Sequence, residues 1–180
     1  MKIICYGDSN TWGYDPRNYF GERFDKPWPE ILGELSGWDV VNQGENGREI
    51  PYIVPTFPQD ADLLIIMLGT NDLLQSNSVE IVCRRMERLL TSLEMEPAKI
   101  LLLSPPPMVF GDWVREQNLI DRSVALAECY RKLAQRLCTG FMDSSEWKIP
   151  MAFDGVHMTQ DGHDTIASEL YRYLAKDSMR

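Results

Sequence analysis

Five short polar segments hold most of the side chains in this sequence that could do chemistry. They are Gly7-Asp8-Ser9-Asn10-Thr11, Asn42 to Gly47, Gly69-Thr70-Asn71-Asp72, Ser104 with Pro105 to Pro107, and Asp154-Gly155-Val156-His157. Together they offer a hydroxyl, an imidazole, carboxylates, a carboxamide and glycine amides. Those groups are the parts of an acyl-transfer site: a nucleophile, a base, a group that orients the base, and donors for an oxyanion. There are two histidines, and only His157 has a carboxylate three residues before it in a glycine-containing turn. His163 follows Gly162 at the start of a helical pattern and reads as structural or solvated. Taken singly, each residue also fits a plainer role. Ser9 suits a helix cap, Asp154 a loop acid, His157 a surface or satisfied buried ring, and Asn71 a turn. Gly44 and Gly47 suit turns with positive φ.

Each segment follows an apolar run, which is what could bring the five together. Ile3 to Tyr6, Trp38 to Val41, Leu63 to Leu68, Ile100 to Leu103 and the short Phe141-Met142 read as buried strands. Between them lie helical patterns. The first runs from Pro29 to Leu35. The second starts at Val79 behind a Ser78 cap, with Val82, Met86, Leu89, Leu90 and Leu93 on one side and Arg84, Arg85, Glu87 and Arg88 largely on the other. Ile120, Val124, Ala127, Tyr130, Ala134 and Leu137 make a third stripe, and Ile166, Leu170, Tyr173 and Leu174 a fourth. Alternating strands and helices imply an α/β fold: a three-layer α/β/α sandwich around a parallel sheet of about five strands. Ligands of such sheets sit beyond the carboxyl ends of the strands, and all five polar segments would lie on that rim.

With 180 residues and no linker or repeat, the chain reads as one domain over 1–180. The net charge of −9, with no basic run, argues against a nucleic-acid partner and an anionic membrane surface. No apolar stretch approaches the roughly 20 residues that span a bilayer, and the short run before Gly7 is too brief for a signal-peptide core. The expected location is the cytoplasm. The four cysteines, Cys5, Cys83, Cys129 and Cys138, form no CxxC pair, and their apolar neighbours suggest buried, reduced thiols. No metal-ligand cluster and no cofactor motif are expected.

The motifs resemble those of the GDSL, or SGNH, hydrolases. Gly7-Asp8-Ser9 matches the first motif, Asn42 to Gly47 the second, Gly69-Thr70-Asn71-Asp72 the third, and Asp154-Gly155-Val156-His157 the last. They occur in the family's order across nearly the whole chain. The wording from Cys5 to Tyr14, with Gly47-Arg48, is most like the small bacterial arylesterase and acyltransferase branch. The resemblance implies a flavodoxin-like sheet, Ser9 as nucleophile, His157 as general base and Asp154 as the residue orienting it. It implies an oxyanion hole of the Ser9 and Gly47 backbone N–H groups and the Asn71 side-chain amide, with Gly44 the alternative to Gly47. It also implies a homo-oligomer.

The leading expectation is a serine esterase that cleaves small, short-chain acyl or acetyl esters without a cofactor. Trp12, Tyr14, Trp28 and Pro105 to Pro107 are candidates to narrow the cleft. Asp8, Thr70 and Asp72 are candidates to support the loops or touch substrate. Met108, Phe110 and Trp113 suit a substrate wall, an interface patch or a return to the core. Competing readings are a carbohydrate acetyl esterase or an acyltransferase using the same site. A non-catalytic flavodoxin-like binding module is a further reading, although no G-x-G-x-x-G or P-loop motif is present.

Overall fold

The structure, a computed structural model, describes residues 1–18 and 21–177. The apolar runs form strands β1 (Lys2–Gly7), β2 (Asp39–Gly44), β3 (Leu63–Met67), β4 (Ile100–Leu103) and β5 (Gly140–Met142). They pair in the order β2-β1-β3-β4-β5, and every pair is parallel. Parallel neighbours need crossover connections. Helices α1 (Ser9–Trp12) and α2 (Trp28–Ser36) lie between β1 and β2, α3 (Thr70–Leu74) and α4 (Val79–Ser92) between β3 and β4, and α5 (Gln117–Leu137) between β4 and β5, while α6 (Gln160–Asp177) follows β5.

The period-two geometry of a strand splits each apolar run between two cores. Ile4, Leu64, Ile66, Ile100 and Leu102 pack with Val82, Met86 and Leu89 of α4 and Leu126, Tyr130 and Leu133 of α5. Ile3, Cys5, Ile65, Met67, Leu101 and Leu103 pack with Trp28 and Leu32 of α2 and Ile166 and Leu170 of α6. The three-layer arrangement expected from the sequence is therefore the one observed.

Some boundaries and faces differ from the expectation. β2 continues past Val41, because Asn42, Gln43 and Gly44 pair with Cys5, Tyr6 and Gly7. Glycine ends it because α1 crosses close by: a Cβ at Gly44 would lie 2.1 Å from the Trp12 backbone nitrogen. Val124 of α5 faces solvent, and Leu126 and Leu133 take the core instead. Trp28 lines no cleft; as the first residue of α2 it is fully buried in the core that α2 and α6 form against the sheet. Pro105, Pro106 and Met108 are also buried.

The cysteine expectation is corrected. Cys83 and Cys129 form a disulfide, Cys5 is a buried free thiol and Cys138 is free and exposed. The pairing was invisible in spacing because 46 residues separate the two. Only the side-by-side packing of α4 and α5 brings their Cα atoms within 6.4 Å. Among the described residues, no helix is long and apolar enough to cross a membrane.

His163 is structural, one of the two roles read for it. It is fully buried, its Nδ1 accepts the Trp28 N–H at 3.3 Å, and Phe24 packs edge-on against it. Burial, aided by the positive charges of His157 and Arg23, drives its pKa down to about 3. The unfolded chain takes up a proton near pH 6.5 that the fold excludes. The neutral ring therefore stabilises fully above pH 6.5, and that stability is lost as pH falls towards 3, by at most about 1.4 kcal/mol per pH unit. His163→Gln is expected to flatten the fall in Tm between pH 6 and pH 4, as read by thermal melts across that range. Cys83→Ser is expected to lower the free energy of unfolding by about 2–4 kcal/mol in denaturant titrations, because the bond restricts a long loop of the unfolded chain.

Candidate active site

The carboxyl end of β1 turns sharply into α1, and Asp8 makes that turn. Its Oδ1 caps the helix by accepting the Asn10 N–H at 3.0 Å. Ser9 is the first residue of α1, so its backbone N–H is one of the unpaired donors at a helix start. Its side chain points toward the β5–α6 loop, where Oγ lies 3.0 Å from His157 Nε2. His157 Nδ1 lies 2.6 Å from Asp154 Oδ2. The other oxygen, Asp154 Oδ1, accepts the N–H groups of Val156 and His157 at 2.9 and 3.0 Å. Burial alone pushes the Asp154 carboxyl up. Hydrogen bonds from the His157 ring and the two N–H groups outweigh it and hold the group below its ordinary value. Ser9, His157 and Asp154 are all buried.

Asn10 ties the two loops together, a role its place in the motif did not reveal. Its Nδ2 donates to the Val156 carbonyl and its Oδ1 accepts the Met158 N–H, both at 3.0 Å. The two bonds bracket His157 in sequence and fix its loop against α1.

The second rim cluster surrounds Gly47. The Gly44 N–H is donated to Asn42 Oδ1 at 2.9 Å within β2. Gly47 stands in the loop beyond, with φ +74° and open space where a Cβ would be. Among the described residues, neither the Gly47 nor the Ser9 backbone N–H has a hydrogen-bond partner. Asn71, in α3, donates from Nδ2 to the Arg48 carbonyl at 3.0 Å, which leaves its second amide hydrogen available. Arg48 then reaches back to β1: Nη1 donates to the carbonyls of Gly7 and Gln43, and the guanidinium covers the Tyr6 ring. Thus the residue after Gly47 links the loops that carry Gly47, Asn71 and Ser9.

Asp72 anchors this loop from below. It is fully buried, accepts the Ile50 N–H at 3.0 Å through Oδ2 and pairs with Arg85 Nη1 at 2.9 Å through Oδ1. Arg85 comes from the α4 face opposite the apolar stripe. Thr70 is buried beside Asp8. Burial lifts the Asp8 carboxyl to about 6, although the Asn10 N–H, His157 and the Thr70 hydroxyl pull it down.

Two aromatic rings flank His157. Tyr14 packs with ring centroids 4.6 Å apart and Trp113 with centroids 5.3 Å apart, nearly perpendicular. Trp12 lies instead under the Arg23 guanidinium. The whole arrangement places a hydroxyl against an imidazole whose far nitrogen is held by a carboxylate, with unused N–H groups on the same rim.

No curated protein sequence matches the chain. Solved structures do. A carbohydrate acetylesterase family member from Sinorhizobium meliloti is 26% identical, with a TM-score of 0.79 over 97% of both chains. The native aryl esterase of M. smegmatis is also 26% identical, with a TM-score of 0.79 over 97% of this chain and 98% of its own. The GDSL-like lipase/acylhydrolase family matches residues 5–165, a span that starts in β1, ends in α6 and holds every rim segment described above. The chain therefore belongs to the GDSL-like lipase/acylhydrolase family, and it is an ester-hydrolysing enzyme.

Proposed function

We propose that the protein is a serine esterase that cleaves small acyl esters through an acyl-enzyme on Ser9. The observation that carries this reading is the continuous relay from Ser9 Oγ through His157 to Asp154, at 3.0 and 2.6 Å. A serine hydroxyl is a poor nucleophile at neutral pH. His157 Nε2 takes its proton as Oγ attacks the ester carbonyl. Asp154 holds the Nδ1–H tautomer and stabilises the imidazolium that forms. Negative charge collects on the former carbonyl oxygen, and the free N–H groups of Ser9 and Gly47 and the second Asn71 amide hydrogen are the donors for it. The C–O bond to the alcohol then breaks, and His157 returns the proton to the leaving oxygen. Water repeats the sequence to release the acid.

Ser9 is only 6% exposed and closely surrounded by packed loops, which favours a small acyl group such as acetyl. Carbohydrate acetyl esters are a second reading. It is favoured by the exposed Trp113 ring against His157, and by exposed Phe110 and Phe153 on the two loops whose backbones are bonded together there, the kind of surface on which sugar rings stack.

Ser9→Ala is expected to lower kcat on p-nitrophenyl acetate by about 10⁴-fold or more, and Asn71→Ala by about 10²–10³-fold. Full activity in Ser9→Ala would refute the assignment. Arg85→Met strips the buried Asp72 carboxylate of its ion-pair partner and loosens the hold on Ile50. It is expected to lower kcat about tenfold, the equivalent of about 1.4 kcal/mol, with a lower Tm. Steady-state kinetics and a melt on the same preparation check both.

A further inference from the structure

Three large apolar side chains, Phe110, Trp113 and Phe153, stand exposed, each more than half accessible. They belong to two loops held together backbone to backbone. The Val109, Asp112 and Trp113 N–H groups donate to the carbonyls of Gly155, Phe153 and Asp154 at 3.0 to 3.1 Å. Trp113 is the one whose ring meets His157. It also lines an open groove of about 260 Å³ with Leu73 and Leu74 of α3 and Arg115, Glu116 and Leu119. An exposed apolar cluster in contact with a reacting group is more informative than scattered surface hydrophobics.

The path of the proton says what should occupy this surface. After attack, the acyl carbon is bonded to Ser9 Oγ. The bond that breaks joins that carbon to the alcohol oxygen, and the electron pair goes to that oxygen. The proton it receives comes from His157 Nε2, so the oxygen must lie within hydrogen-bond reach of that atom. The remainder of the alcohol then extends past the neighbours of the His157 ring. Tyr14 lies on the segment that follows α1 and is partly buried. Trp113 stands on the β4–α5 loop with 56% of its surface open. Resting on the Ser9–His157 reading above, we propose that Trp113 is a specificity-determining residue that receives the alcohol portion of the ester. Its indole favours an alcohol with a flat ring face, either an arene or the C–H face of a sugar ring.

This placement separates the two halves of the reaction. The alcohol is present in acylation and has left before deacylation, whereas His157 works in both. The test compares wild type, Trp113→Ala and Trp113→Phe on benzyl acetate and propyl acetate, which share an acyl group and have alcohols of similar acidity. In Trp113→Ala the benzyl-to-propyl ratio of kcat/KM is expected to fall about fivefold to tenfold, the size of one lost aromatic contact. Trp113→Phe should keep most of the ratio. The deacylation rate constant, from the pre-steady-state burst with p-nitrophenyl acetate, should stay within about twofold. Methyl 6-O-acetyl-glucoside measured against propyl acetate distinguishes the sources: a falling ratio extends the contact to sugars, and a loss confined to benzyl acetate restricts it to arenes.

Three results would overturn the proposal. An equal loss on benzyl and propyl acetate would remove ring selectivity. Deacylation slowed in step with acylation would make Trp113 a prop for His157. A changed acetate-to-butyrate preference would move it to the acyl side. Failure of the underlying reading shows separately, as Ser9→Ala that retains activity.

Discussion

The meeting of Ser9 Oγ and His157 Nε2 at 3.0 Å, across 148 residues of chain, is the constraint around which the rest of the structure is arranged. Neither side chain could hold that distance alone. The parallel sheet solves the coarse part, since every strand delivers its following loop to the same edge. Asn10 solves the fine part by bonding on both sides of His157. Preorganisation of this kind matters because a misplacement of about 1 Å can cost about 10²-fold in rate.

The second requirement is to keep polar groups at the rim without water to solvate them. Asp72 is satisfied by Ile50 and Arg85, and Asp154 by Val156 and His157. Each buried carboxylate thereby fixes one loop. Asp8 is less well compensated, and burial raises its pKa to about 6. It is retained at the β1–α1 turn because it caps the helix that presents Ser9. Removing Arg85 would strand the Asp72 carboxylate, whereas Arg85 also holds Glu49 and the Tyr52 hydroxyl; such a pair constrains the loop even though its net contribution to stability is small.

The same rim leaves apolar surface open where a substrate must pass. Trp113 and Phe153 are held by backbone bonds between their loops, not by burial of their rings. The larger apolar side chains elsewhere are spent on the two cores, and Trp28 shows the contrast. It was a candidate for the cleft on residue type alone, yet from the start of α2 it is wholly buried in the core under α2 and α6.

Local pattern was enough for the architecture. Apolar runs of strand length and stripes of helical period depend only on neighbours in sequence, so the parallel α/β order and the strand-end position of each motif were legible, as was the Ser78 cap. The resemblance favoured Gly47 over Gly44 for the oxyanion amide, while local pattern could not show that Asn42 takes the Gly44 N–H or that α1 passes close to Gly44. Helical spacing placed Arg85 only opposite the apolar stripe and could not reveal Asp72 beneath it, and Cys83 looked reduced until α5 brought Cys129 alongside. The sequence by itself thus determined the five strands, the four longer helices and the chemical inventory of the rim, but not the short α1 and α3. Tertiary structure alone decided the disulfide, the ion pair under the Gly47 loop and the ring against His157. The physical reason is that these depend on distances between segments 13 to 46 residues apart, which local propensity does not encode.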